Sequence, residues 1–153
     1  MANTYHKIYL QFVFAVKFRQ AVIDPKWNKD FFAVIGNLIN ENDCKTLIVN
    51  GVEDHVHCLV GMKPALAVSD LMKSVKAKAS KHINENNLTK KHFEWQDGYG
   101  VFSYGQSQID AVYRYIVQQE KHHKKKTFLE EYREMLAAFK IDYDEEYIFK
   151  PLI

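Results

Sequence analysis

Residues 46–62 read TLIVNGVEDHVHCLVGM: two apolar runs, Thr46 to Val52 and His55 to Met62, with only Glu53 and Asp54 between them. Runs joined by so short and polar a link predict a β-hairpin or a short antiparallel connection. Upstream, Ile8, Leu10, Phe12, Phe14 and Val16 alternate with Tyr9, Gln11, Val13 and Ala15. That period of two predicts a strand with one well-buried face. Between these strands, Asp24-Pro25 offers a cap and a first-turn proline. Trp27, Phe31, Val34, Ile35, Leu38 and Ile39 then recur at helical spacing and predict a helix ending near Asn42.

Downstream of the hairpin, Ser69 is placed to cap a second helix. Its Leu71, Met72, Val75, Ala79 and Ile83 face a core, while Lys73, Lys76, Lys78 and Lys81 lie mostly elsewhere. The run HFEWQDGYGVFSYG (92–105) reads as a strand with glycine-marked bends. Ser107 with Asp110 resembles a capping box opening a third helix through about Lys124, and Thr127 with Glu130 does the same for a fourth. The tail IDYDEEYIFKPLI (141–153) is too short in periodicity for a helix and is expected to lie extended. The order β-α-β-β-α-β-α-α predicts an α+β fold: a ferredoxin-like or RRM-like antiparallel sheet with helices packed mainly on one face.

With 153 residues, 47% hydrophobic and 26% charged, the chain is expected to form a single domain over 1–153. Two cysteines, Cys44 and Cys58, make no disulfide framework, which favours a reducing, cytoplasmic setting. No apolar stretch is long enough to span a bilayer, so no membrane partner is expected. The formal net charge is only +2, yet charge is unevenly placed. Between Leu71 and His92 six lysines meet one acidic residue, Glu85; KHHKKK fills 121–126; from Leu129 to Ile153 seven acidic residues face three basic ones. Such asymmetry suggests a footprint for a polyanion, although lysine-rich helix faces are also ordinary solvated surface.

The chemistry concentrates in DHVHCLV (54–60). Histidines two apart on a strand point to the same face, so His55 and His57 can reach one metal ion, while Val56 and Cys58 point the other way, toward a core. A lone His-x-His pair is a weak signal and needs further ligands. On the third helix, Ile109, Val112, Tyr113 and Ile116 fall on one stripe, read as the core face. Tyr115, Gln119 and His122 fall on a second, polar stripe. Tyr113 then reads as a packed aromatic, and Tyr115, beside an amide able to ligate metal, as the candidate nucleophile. A phenol of pKa about 10 needs a Lewis acid or a base to react near neutrality.

Taken together, the FAVKFR segment (14–19), DHVHCLV, SDLMKSVKAKASK (69–81), FEWQDGYGVFSYGQSQ (93–108) and YIVQQ (115–119) resemble the single-tyrosine HUH transposases of the IS200/IS605 type, including repeat-associated tyrosine transposases. The resemblance covers about residues 5–128. It implies that His55 and His57 ligate Mg²⁺ or Mn²⁺, that Gln119 completes the site, and that Tyr115 attacks a phosphate of single-stranded DNA. A 5′-phosphotyrosine link would follow, with no nucleotide cofactor consumed. It further implies hairpin recognition at element ends and a homodimer whose tyrosine helix can complete the partner's site. For phosphate contacts the candidates are Lys73, Lys76, Lys78, Lys81, Lys124, Lys125, Lys126 and Arg19. Trp95, Tyr99 and Tyr104 are available for base stacking, though strand aromatics are more often core. Two other readings remain at this point: a non-mobilising nucleic-acid-binding relative on the same fold, and a metal-dependent hydrolase using the histidine pair to activate water.

Overall fold

A computed structural model describes residues 4–142, the side chain of His123 excepted. The expected sheet forms from β1 (Tyr9–Ala15), β2 (Lys45–Gly51), β3 (His55–Gly61) and β4 (Gly100–Tyr104), in the order β2-β3-β1-β4 with every neighbour antiparallel. Helices α1 (Asn28–Glu41) and α2 (Val68–Glu85) make the two crossovers, so two β-α-β units interleave, as in ferredoxin-like folds. The alternation in β1 and β3 directs Phe12, Phe14, Val56, Cys58 and Val60 to one face. There they pack with Phe31, Ile35 and Ile39 of α1 and with Leu71, Met72, Val75, Ala79 and Ile83 of α2. Cys58 is a core residue, and burial pushes its thiol pKa up. Both cysteines are free.

The expectation of helices mainly on one face holds for α1 and α2 but is incomplete. Val13, Ala15 and Leu59, on the other face, are also fully buried. They are covered by α3 (Ile109–Val117) and α5 (Phe128–Ala138) through Ile109, Ile116, Phe128, Tyr132 and Leu136, with α4 (Gln119–His123) between the two in sequence. The central strands are therefore buried on both sides, as in a sandwiched sheet.

Several local expectations are corrected. Ser69 does not cap α2, whose N-cap is Ala67. Asp24 instead shapes a turn before α1, its Oδ1 accepting from the Lys26 N–H, and the helix starts only at Asn28. Ser107 gives way to Gly105, whose N–H donates to Gln108 Oε1 ahead of a single 3₁₀ turn at 106–108. Thr127 does cap α5, its Oγ1 accepting from the Glu130 N–H at 3.2 Å. Within 92–105 only 100–104 is strand. Phe93 and Trp95 leave the ladder to fill the α1–α2 core, Trp95 keeping one bridge to Val16. The third helix is not continuous to Lys124, because it breaks at Gln118 (φ −94°, ψ 20°). Of the tail, residues 143–153 lie outside the described residues.

Gly51 closes β2 where the chain turns toward His55. A Cβ there would stand 2.3 Å from the His55 carbonyl oxygen, a contact with rigid backbone. Gly51→Ala is expected to destabilise the fold by about 1–3 kcal/mol, as overpacking does, measured as a lowered midpoint in urea unfolding.

Candidate metal and nucleophile site

His55 and His57 project from β3 onto the face beneath α3–α5, both wholly buried. Their outer nitrogens are spoken for. His55 Nδ1 lies 2.7 Å from Asp54 Oδ1 and His57 Nδ1 2.7 Å from Gln11 Oε1. Those oxygens only accept, so each Nδ1 carries a proton, and in the neutral ring each Nε2 presents a lone pair inward. Gln11, a neighbour of His57 on the adjacent strand, is itself oriented: its Nε2 donates to the Tyr104 hydroxyl at 2.7 Å. Burial raises the Tyr104 pKa, and Gln11's hydrogen bond offsets part of that.

The third group facing the histidines is Glu131, which sequence reasoning missed. It stands 4% exposed on α5, its Oε1 2.8 Å from His57 Nε2 and 3.7 Å from His55 Nε2. At 2.8 Å, His57 Nε2 and Glu131 Oε1 can share a proton as a buried ion pair or ligate one cation together. A signal was present: Phe128, Glu131, Tyr132 and Leu136 share the buried stripe of α5, and a carboxylate on such a stripe is costly unless partnered. Ligand atoms of His55, His57 and Glu131 all lie within 4.8 Å of one another. Gln119 joins them, fully buried, its Oε1 3.2 Å from His55 Nε2.

This donor set fits a divalent cation. With both Nδ1 protons given outward, two imidazole lone pairs, a carboxylate and an amide oxygen face one another, and a positive charge between them removes the repulsion. Mixed nitrogen and oxygen ligands suit Mn²⁺ and its neighbours better than Mg²⁺. The protonation equilibria carry the same strain. Burial opposes charge on His55, but Asp54 and Glu131 outweigh it and hold its pKa above the ordinary value. Burial drives His57 below the ordinary value, His55 and His122 adding to the effect and Glu131 opposing it. Burial would raise the Glu131 carboxyl, yet the two histidines hold it far below the usual range.

Tyr115 reaches the same place. Its ring centroid is 6.2 Å from that of His57 and 4.5 Å from that of His122, on which it stacks at 26°. Burial, with Glu131 close by, raises its pKa, so the phenol is protonated at neutrality. The stripes on α3 are corrected here. Tyr113 is 42% exposed, whereas Ile109 and Ile116 are buried with Val112 and Tyr115 packed against them. Tyr115 and Gln119, expected on a separate polar stripe, turn inward with Ile109, Val112 and Ile116. A cleft of about 330 Å³ opens beside the site, lined by Gln11, Tyr104, Tyr115, Glu131, Met135 and Phe139 among others.

The basic residues do not gather at this point. Lys73, Lys78 and Lys81 are exposed on α2, in the layer behind the sheet, with Lys81 paired to Glu85. Lys76 is in structural use: its Nζ donates to the carbonyls of Gln96 and Gly98, and burial lowers its pKa. Lys124 and Lys125 are exposed just after α4, and Lys126 pairs with Glu134 at 2.6 Å. Arg19 lies in the 3₁₀ turn following β1. Trp95 is core, its Nε1 donating to the Lys76 carbonyl. Among the described residues no helix is long and apolar enough to cross a membrane.

Residues 4–119 match the family model for IS200-like transposases, and the chain belongs to that family. It is similar in fold to a transposase-like protein from Deinococcus radiodurans, at 18% identity and TM-score 0.63, over 78% of this chain and 95% of the other. It is similar also to a REP-associated tyrosine transposase bound to a REP hairpin, at 13% identity and TM-score 0.59, over 80% and 73%. No curated protein matches. The family match ends at Gln119, so Glu131 and the whole of α5 lie beyond it.

Gln11→Leu removes the oxygen that fixes the His57 tautomer. Mn²⁺ affinity is expected to fall about 10- to 100-fold, as when outer partners of ligating histidines are lost, with a stability loss of about 1–3 kcal/mol from the stranded His57 N–H. Isothermal titration of both proteins with Mn²⁺ measures it.

Proposed function

We propose that the protein cleaves and rejoins single-stranded DNA, using Tyr115 as nucleophile at a divalent-ion site held by His55, His57, Glu131 and Gln119. The observation that carries this reading is the convergence of two imidazole Nε2 atoms, a carboxylate and an amide oxygen beside one tyrosine, in a chain of the IS200-like transposase family. A bound Mn²⁺ or Mg²⁺ would supply Lewis acidity toward a phosphate oxygen. The chain's own groups supply the rest. Tyr115 Oη bonds to phosphorus and loses its proton to solvent or a neighbouring base as the P–O3′ bond breaks; the departing 3′ oxygen takes up a proton. The product is a 5′-phosphotyrosine and a free 3′-hydroxyl. Attack by that hydroxyl, or by one from another strand, reverses the chemistry and restores a phosphodiester. Because one ester replaces another at each step, no nucleotide cofactor is needed.

The substrate is proposed to be a DNA hairpin with a single-stranded flank. Its phosphates would be met by Lys73, Lys78 and Lys81 and by the Lys124–Lys126 run, with Arg19 beyond the end of β1. The REP-hairpin complex of a protein of similar fold supports a hairpin partner, and the exposure of Lys73, Lys78, Lys124 and Lys125 supports their role. Lys76 has less freedom, being committed to the 96–98 loop.

The decisive measurement incubates the protein with single-stranded oligonucleotides tiling the DNA around its gene, with Mn²⁺, followed by a denaturing gel. A covalent adduct is expected with the unmodified protein and none with Tyr115→Phe or after chelation of the ion. Cleavage without an adduct, unaffected by Tyr115→Phe, would make the protein a metal-dependent hydrolase instead. Hairpin binding with neither adduct nor cleavage would make it a binding protein.

A homodimer with shared sites is part of the proposal and has its own test. His57→Ala and Tyr115→Phe proteins, each inactive, are mixed. Recovered cleavage shows that the tyrosine of one subunit serves the histidines of the other. A mixture that stays inactive assigns attack to the chain's own Tyr115, which already stands beside its own His57.

A further inference from the structure

The break between α3 and α4 falls between the two side chains that must reach the site from this segment, Tyr115 and Gln119. Its geometry is held from outside the helix. Asn50 of β2 donates from Nδ2 to the carbonyl of Ile116 at 2.9 Å and to that of Val117 at 3.2 Å. These are carbonyls that an uninterrupted helix would satisfy with its own N–H groups one turn on. At the break, Gln118 has left helical geometry, and its N–H is shared between the carbonyls of Arg114 and Tyr115, both at 3.2 Å. The position of Asn50 is not arbitrary. In the β2–β3 ladder it is directly opposite His57, so the pairing that orients the histidine also presents Asn50 on the same face of the sheet.

We infer that Asn50 is a positioning residue for the strand-transfer reaction: by gripping the carbonyls of Ile116 and Val117 it sets Tyr115 and Gln119 against the histidines of β3. The inference rests on the function proposed above and deepens it. Two residues flanking one broken turn are placed relative to one strand by a side chain of the adjacent strand, so nucleophile and amide ligand keep a common distance from His55 and His57. An asparagine suits the role because its amide NH₂ has two protons for two carbonyls. An aspartate of the same shape has none at neutral pH and would set a charge against both oxygens.

The test uses the full chain with Asn50→Ala and Asn50→Asp. Three quantities are measured: the single-turnover rate of adduct formation at saturating hairpin DNA with Mn²⁺, the Kd for that DNA, and hydrogen exchange at backbone amides 118–122. The adduct rate is expected to fall about 10- to 100-fold, in the range that small misplacements of reacting groups produce. The DNA Kd should stay within about twofold, as a group touching no substrate allows. Amides 118–122 should exchange faster while those of β3 do not. An unchanged rate overturns the inference. So does a rate that falls only in step with DNA affinity and thermal stability, since that is the mark of general support of the fold. Should the unmodified protein form no adduct, the proposed function fails and exchange alone decides: faster exchange at 118–122 in Asn50→Ala upholds the grip, and unchanged exchange overturns it.

Discussion

Two imidazoles buried side by side on a central strand impose a demand that the neighbouring elements have to meet. Each ring has two nitrogens, and neither ring is exposed to bulk solvent. Asp54 and Gln11 take the two Nδ1 protons. That leaves the two Nε2 atoms aimed into the same small space, which only a shared positive charge, with anionic or carbonyl oxygens around it, makes favourable. Gln119 and Glu131 supply those oxygens. The polar centre thus determines what the covering helices must carry on their inner faces, although those faces are otherwise apolar.

The sheet separates two kinds of packing. Its α1–α2 side is a continuous hydrocarbon and aromatic core, with Phe14, Trp95, Phe31 and Phe93 in edge and stacked contacts. This side gives the strands a rigid backing. The other side has smaller apolar clusters around Leu59, Ile109 and Ile116 and around Val13, Phe102 and Phe128, with the polar groups close by. Precision at the site is therefore borrowed from the opposite face: a strand held by Phe12, Val56 and Cys58 below can present histidines above without drifting.

Much of this was legible because it is local. The period of two in β1 and β3, the shared face of His55 and His57, the core role of Cys58 and the Thr127 cap all follow from neighbours in sequence. What was not legible depends on distant partners. The break at Gln118 is held by Asn50, a residue in β2, and no local propensity announces it. Facing on α3 went astray because Tyr113 and Tyr115 are both aromatic, and a short helix leaves its inward arc poorly determined. The packing of Ile116 against Leu59 decides between them. Glu131 was read as one charge in an acidic tail when its place on a buried stripe is what matters. Lys76 looked like surface charge until its carbonyl partners came from a loop 20 and 22 residues away.

The donors at the site come from far apart in the chain: β3, the start of α4 and the first turn of α5. No part of the unfolded chain reproduces that full set, so an ion held there binds the folded state far more tightly. Linkage then makes the ion a tether across the second face of the sheet. At a free concentration 100 times its Kd it would add about 2.7 kcal/mol to the stability of the fold, and α5 would be released more reluctantly than in the ion-free protein. The thermal midpoint of this chain would then report whether such an ion is bound.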